Sequence, residues 1–410
     1  MAAANGKYPR SLRQGLIRDL ELYPVVSVMG ARQVGKSTLC VELAEELGFA
    51  RRTLDDRDVR EQALTDPEGF LASLGDDGAF IDEVQRAPDL MLAIKAVVDR
   101  EQRAGRYLVS GSNQPRIGSA VADSLLGRAA YRTLRPFTLS ELRFDDQHPG
   151  WSFLFDDDEQ GVLAELERRV VASGALDWRA VVQTGGFPRA VAAPPDQRSR
   201  LLDDYVEVFA NRDIRELIAV DSSPRLEAFV RLTAAWTGQE LNASHLSNDL
   251  GVPVTTIRRW LEALRRSYLI ELVPPYSRNA GARVIRAPKM FAVDSALAMA
   301  AARETAPTGF HLETFIASDL QVWKDGAVSR AVYYWRQASG PEVDFVLEEQ
   351  SKVLPVEVKS ATTVERSDAR HLKRFRELYQ HSPRGILVSC DPEVRVIQPG
   401  IIACPWWAIL

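Results

Sequence analysis

Residues 30–38 read GARQVGKST, and how the chain turns at these two glycines decides the fold of its first third. Gly30, Gly35, Lys36 and Ser37 satisfy G-x-x-x-x-G-K-[ST] without a gap. Before them PVVSVMG (24–30) is an apolar run of strand length. After them KSTLCVELAEELG (36–48) carries Leu39, Leu43 and Leu47 at helical spacing. A strand that enters a helix through such a turn aims backbone N–H groups and the positive end of the helix dipole at one spot. Phosphate oxygens fit that spot. The candidate nucleotide-binding residues are therefore Gly30, Ala31, Arg32, Gln33, Val34, Gly35, Lys36, Ser37 and Thr38. Lys36 would neutralise β- and γ-phosphate charge, and the Ser37 hydroxyl would reach a Mg²⁺ ion bound with ATP.

Two more strand-like runs follow. GAFIDEV (78–84) ends in Asp82 and Glu83, and RYLVSGS (106–112) leads to Asn113. A carboxylate at the end of a buried strand can join the shell of the metal, and its neighbour can polarise a water, so Asp82 and Glu83 are assigned those roles. Ser112 or Asn113 would be a polar sensor between nucleotide and water. Arg128 and Arg212 are candidates for a finger or sensor that places positive charge at the γ-phosphate. Strands alternating with helices predict a parallel sheet covered on both faces, an α/β architecture.

Working outward, this block is expected to span 1–145. A stretch punctuated by DDQHPG (145–150) and DDDEQG (156–161) opens a mainly helical region, 146–240, broken at TGGFPRAVAAPPD. Residues 241–294 read as a winged helix-turn-helix: ASHLSNDL, a GVP turn, then VTTIRRWLEALRRSYLI with Ile257, Leu261 and Leu264 on one face. Arg258, Arg259, Arg265 and Arg266 project elsewhere, an arrangement suited to phosphates and guanine edges, although arginines on a helix also serve as a solvated face. ELVPPY and RVIRAPKMFAVD are the expected wing strands. Residues 295–410 alternate again, with helices at 310–324 and 366–380 and strands near 331–336, 343–348, 353–358 and 385–390.

Within that last segment Glu313 falls on a helix, Asp344 on a strand, and Glu357 with Lys359 on the next strand. Strand periodicity points Glu357 and Lys359 to one face. Asp344, Glu357 and a helical acid can bind one or two Mg²⁺ ions, while Lys359 orients a water or stabilises charge at phosphorus. Outward-facing charges on a hairpin are the plainer reading of the same residues.

Composition bounds the rest. The 410 residues are 46% hydrophobic and 26% charged with a net charge of −5, a soluble multidomain chain and not a polycation. Three cysteines without a CxxC pair and five histidines point away from a disulfide framework or a Cys/His metal centre. Neither a signal-peptide core nor an apolar run of about 20 residues is found, so a cytoplasmic protein without membrane contact is expected.

The order GARQVGKST, FIDEVQRAP, LVSGSNQ resembles the AAA+ branch of P-loop ATPases. It is similar in particular to bacterial and archaeal AAA-type ATPases that carry a C-terminal domain of uncharacterised function. LRPFTLSEL (134–142), GGFPRAV (185–191), NRDI (211–214), APKMFAVDSAL (287–297) and YYWRQASGPEVDFVLE (333–348) extend the likeness over most of the chain. Ala31 stands where that family often has proline. The helical Glu, Asp and ExK pattern resembles the PD-(D/E)xK nuclease superfamily. Together these imply Mg²⁺-dependent ATP hydrolysis, with DNA as the downstream ligand and a metal-dependent nuclease-like C-terminal domain. A nucleotide-dependent switch that binds a protein partner or DNA without cutting is the alternative, and assembly into a homo-oligomer is left open.

Overall fold

The structure is a computed structural model that describes residues 8–113, 125, 127–145, 150–214, 218, 224–277, 287–337 and 340–410. The chain divides into two compact units. One holds residues 2–135 with 266–269; the other holds Pro136–Arg265 and Ile270–Leu410.

In the first unit five strands, β1 (Val25–Met29), β2 (Ala50–Thr53), β3 (Ala79–Asp82), β4 (Tyr107–Gly111) and β5 (Ala129–Thr133), form one sheet in the order β2-β3-β4-β1-β5. Every pairing is parallel. The expected α/β sheet is thus present. β1 and β4 are buried along their whole length, as their apolar sequences require. The sequence pattern did not show β2 and β5. Both are edge strands, and ARRT and AAYRT leave most side chains outside the core. Because β4 lies between β1 and β3, the ends of these three strands bring the GARQVGKST loop, Ser110 to Ser112 and Asp82 to one end of the sheet.

The second unit begins with helices, among them Glu159–Ser173, Trp178–Thr184, Pro195–Val208 and Pro224–Ala235. Helices Ala243–Leu250 and Val254–Arg266 follow, joined through Gly251 in the left-handed region at φ 60°. Asn242 caps the first of them by accepting the His245 N–H at 3.0 Å. Ile257, Leu261 and Leu264, the apolar stripe read from the sequence, are buried, and Trp260 is buried with them. Strands β6 (Gln239–Glu240), β7 (Ile270–Val273) and β8 (Lys289–Ala292) make an antiparallel sheet in the order β6-β8-β7. Part of the second expected wing strand, RVIR at 283–286, lies outside the described residues, as do 146–149 of the expected acidic linker.

A six-stranded sheet completes this unit: β9 (Arg330–Arg336), β10 (Glu342–Glu349), β11 (Lys352–Val358), β12 (Gly385–Ser389), β13 (Arg395–Gln398) and β14 (Ile401–Pro405), ordered β13-β14-β12-β11-β10-β9. Helix Gly309–Asp325 buries Leu312, Phe315, Ile316 and Leu320 in the same apolar cluster as Phe345, Leu354 and Val356 of the sheet. β11 is central although it contains Pro355. Its pairing with β12 covers only residues 356–358, so the missing N–H forfeits no ladder bond on that side.

Three of the quoted motifs meet at one node in this unit. Thr138 of LRPFTLSEL forms a capping box with Glu141, each side chain bonded to the other's backbone N–H at 3.2 and 3.1 Å. The Phe137 N–H donates to Gly186 O at 2.8 Å, and Gly186 N–H donates to Asp294 Oδ2 at 2.6 Å. A Cβ on Gly186 would lie 2.3 Å from Phe137 O, so only glycine fits. Asp294 also caps helix Ser295–Ala302 through Leu297 N–H at 2.8 Å.

Candidate functional site

The phosphate loop is built by two glycines with different tasks. Gly35 at φ 96° turns the chain into helix Lys36–Glu46. Gly30, at φ 151°, passes so close to Leu134 O that a Cβ would stand 2.2 Å from it. Gln33 is also held at a positive φ, 64°. Lys36 is only 4% exposed, and its Nζ donates to Gly30 O at 3.0 Å and Ala31 O at 2.9 Å. Burial lowers its pKa, and the charges of Glu83 and Asp82 oppose that shift. An ammonium in this position has neutral carbonyls at bonding distance and two carboxylates within electrostatic range.

Asp82 ends β3, and its Oδ1 accepts the Glu83 N–H at 3.1 Å and the Ser110 hydroxyl. Glu83 sits in the left-handed region at φ 56°, a strained position for a side chain with a Cβ. Gln85 donates from Nε2 to Glu83 and, at 3.1 Å, to Ser112 Oγ. Sequence reasoning passed over Gln85. Its only signal was the second residue after Glu83 in IDEVQ. Asn113 lies just past Ser112, beyond the end of β4, and is partly buried. Arg128 pairs with Asp99 of helix Leu90–Glu101. Arg212 is an exposed residue of the π-helical segment Phe209–Asp213 in the second unit. Magnesium takes oxygen ligands, and the hydroxyl of Ser37 with the carboxylate of Asp82 is a donor set that fits it.

The second cluster lies in the second unit. Between Val343 and Val346 the register of β10 against β9 slips, and Asp344 sits in this irregularity. Bulges of this kind re-aim side chains. Asp344 Oδ2 accepts the Val358 N–H at 2.9 Å, taking the role of a backbone acceptor at the end of β11. Glu357 is 3% exposed; its Oε1 accepts from Lys359 Nζ at 2.6 Å, and its Oε2 is buried without a hydrogen-bond partner. Glu313 Oε2 is orphaned in the same way.

The four residues proposed from the sequence therefore do converge, but a fifth stands among them. Lys289 of β8, 4% exposed, places Nζ 2.5 Å from Glu342 Oε1, 3.3 Å from Asp344 Oδ1 and 3.9 Å from Glu313 Oε2. Sequence reasoning missed Lys289 because it lies on a different sheet, some fifty residues before Asp344. Burial would lower the Lys289 pKa, but Asp344, Glu313 and Glu342 outweigh it and raise it. Glu357 is pushed up to about 8, first by burial and then by Asp344, against Lys359. Glu313 is raised well above the ordinary carboxylate value by burial and then by Asp344. Among the described residues no group of three or more His, Cys, Asp or Glu side chains could hold a metal ion. As these side chains lie, a metal does not fit; the cation at the centre is an ammonium.

The exposed positive charge of the helix pair is smaller than its sequence suggests. Arg259 donates to Ile218 O, and Arg265 makes a two-bond pair with Glu262 at 2.7 and 2.8 Å. Arg258 is exposed. None of the described helices is long and apolar enough to cross a membrane.

A parallel sheet with a glycine-turned phosphate loop at the end of β1 and an acidic pair at the end of β3 defines a P-loop ATPase domain of the AAA type. Family models agree with that assignment: residues 22–143 match the AAA domain, residues 175–308 a domain of unknown function (DUF8612), and residues 308–409 a second one (DUF4143). The chain thus carries an AAA-type P-loop domain followed by a C-terminal DUF4143 domain. Uncharacterized proteins of Mycobacterium tuberculosis and Mycobacterium bovis are each 28% identical to it over 362 residues, covering 85% of this chain and 73% of theirs. Among solved structures, a Walker-type ATPase of Pyrococcus abyssi is 16% identical and covers 73% of this chain and 97% of its own, with a TM-score of 0.38. AMPPCP-bound DnaA from Aquifex aeolicus is 11% identical, with coverage of 64% and 91% and a TM-score of 0.28.

Proposed function

We propose that this chain hydrolyses ATP with Mg²⁺ and uses the cycle to control its grip on DNA. The observation that carries the first half is Lys36, a buried ammonium bound by two loop carbonyls that a triphosphate can replace. Ser37 and Asp82 would hold the magnesium, which supplies charge neutralisation for the phosphates when bound. Glu83, kept in place by Gln85, orients the attacking water. Asn113 and Arg128 remain proposed contacts to the γ-phosphate side. Phosphate release should require Mg²⁺ and fall by about a hundredfold or more in Glu83→Gln, while labelled ATP still binds. Release that persists in excess EDTA, or a variant that turns over like wild type, would refute this reading.

DNA is proposed because the pair of helices and its antiparallel strands, read as a winged helix, present Arg258 on the second helix. Replacing Arg258 by alanine should weaken duplex binding across sequences and reduce the salt slope by about one. An unchanged slope removes Arg258 from the contact. For the C-terminal cluster, Lys289 among the carboxylates favours the reading in which DNA or a protein partner is bound without being cut. Plasmid incubated with Mg²⁺ or Mn²⁺ should show equal background nicking from wild type, Asp344→Ala and Glu357→Ala. Cleavage lost in both variants would establish a nuclease instead. A homo-oligomer formed around the ATP site is a further proposal, checked by whether Arg128→Ala regains turnover when mixed with Lys36→Ala subunits.

A further inference from the structure

β4 is buried along its whole length and lies between β1 and β3, yet its sequence YLVSG places a hydroxyl there. A serine buried in an apolar strand costs free energy unless its hydroxyl is bonded. Ser110, fully buried, donates to Oδ1 of Asp82 at the end of the neighbouring strand. The Glu83 N–H donates to the same oxygen at 3.1 Å. Oδ2 of Asp82 accepts no hydrogen bond from the described residues. We propose that Ser110 is a positioning residue for the metal of the ATP site: with the Glu83 N–H it fastens one oxygen of Asp82 and leaves the other for Mg²⁺. The inference rests on the reading of Asp82 as a magnesium ligand, and it names the residue that aims that ligand.

Two donors on one oxygen stop the carboxylate from turning about its Cβ–Cγ bond. A ligand already held in one orientation binds a metal more tightly, because less freedom is lost when the ion arrives. A hydroxyl suits this task better than a cationic donor, since it leaves the negative charge of Asp82 in place for the ion. Ser112 provides the contrast. It is buried, and its Oγ accepts from Gln85 Nε2 at 3.1 Å, the same amide that donates to Glu83. The stretch Ser110–Ser112 therefore anchors the two acids separately, Asp82 directly and Glu83 through Gln85. Ser110 serves the metal, and Ser112 serves the group that directs water.

The test uses the full chain and measures binding, not turnover. A labelled non-hydrolysable ATP analogue is titrated with Mg²⁺ and in excess EDTA, and the ratio of the two Kd values is the magnesium gain. Ser110→Ala should keep the Kd in EDTA within about twofold of wild type and cut the gain by about tenfold. Ser110→Cys, which keeps the shape but donates weakly, should behave like Ser110→Ala. Ser112→Ala should slow ATP turnover while its magnesium gain stays within about twofold of wild type. A gain that survives in both Ser110 variants overturns the role of Ser110. So does an equal loss in Ser112→Ala, which would trace the effect to a general disturbance of β4. Asp82→Asn separates this failure from that of the underlying reading. If Asp82→Asn retains the full gain, Asp82 is no magnesium ligand and both fall; if it loses the gain while Ser110→Ala does not, only the role of Ser110 falls.

Discussion

Lys36 and Lys289 are equally buried, each 4% exposed, yet they stand in opposite electrostatic situations. Lys36 touches two backbone carbonyls, and burial outweighs the nearby acids to lower its pKa. Lys289 touches three carboxylates, which outweigh burial and raise it. The first is a cation lacking an anion at contact distance, held ready where a ligand must supply it. The second already has its anions, supplied by the chain. A buried lysine is thus a binding device or a structural pin according to whether its partners are replaceable.

The largest effect that tests this contrast is on turnover. Lys36→Ala should reduce ATP-dependent phosphate release by about a thousandfold or more, because Lys36 is the buried cation of the loop, placed where the β- and γ-phosphates would lie. Its melting temperature should hardly change, since the carbonyls it leaves are loop carbonyls that water can satisfy. A large loss of stability would make Lys36 a pin as well and erase the distinction.

Next in size is stability in the other unit. Lys289→Met should cost about 3–5 kcal/mol in urea unfolding, the usual cost of removing one partner from a buried ion pair. The Lys36→Met variant, measured beside it, should lose under about 1 kcal/mol. Equal losses would show that burial alone, not the partners, sets the cost.

This asymmetry also explains what was legible in the sequence. The phosphate site could be read because its chemistry is local: a loop of nine residues, with Asp82 and Glu83 at the end of an unmistakably apolar strand. The central strands β1, β3 and β4 were legible for the same reason, since burial on both faces leaves continuous hydrophobic runs. Edge strands β2 and β5 carry no such run and were invisible. In the C-terminal domain Asp344, Glu357 and Lys359 were legible as a hairpin pattern, while the residue that changes their meaning was not. Lys289 reaches them through tertiary contact across fifty-odd positions, and nothing in KMFAVD signals that its first residue is buried. Likewise β13 and β14 were missed because RVIQ and IIACP are short and run into the terminal WWAIL without turn signals beyond Pro399 and Gly400.

A buried charge held only by N–H donors offers a third case between the two lysines. Asp294 accepts from Gly186 and Leu297 and has its pKa pushed up to about 6 by burial, despite those donors. The folded state therefore holds this proton more tightly than the unfolded chain does. Its contribution is complete below the ordinary carboxylate value and is lost as pH rises through about 6. A rise of that size corresponds to about 3 kcal/mol at most. Asp294→Asn cannot ionise, so the difference in unfolding free energy between pH 4 and pH 7 should shrink by about 1–3 kcal/mol. Parallel pH profiles for the two proteins would mean that the hydrogen bonds, not burial, dominate at this node.

The smallest expected effect concerns Gln85, which lies outside both the phosphate loop and the acidic pair. Its amide donates to Glu83 and Ser112, and its own Oε1 is buried without a partner. An orphaned carbonyl beside a strained glutamate indicates that the amide is placed for Glu83, at some cost to itself. Gln85→Ala should lower kcat for ATP by roughly tenfold or less while leaving KM within about twofold, because only the orientation of the water-positioning group is lost. Gln85→Glu sets a like charge against Glu83 and should lower kcat further than Gln85→Ala does. A change confined to KM would instead place Gln85 among the nucleotide contacts, and Glu83 would lose its one observed support as the residue that directs water.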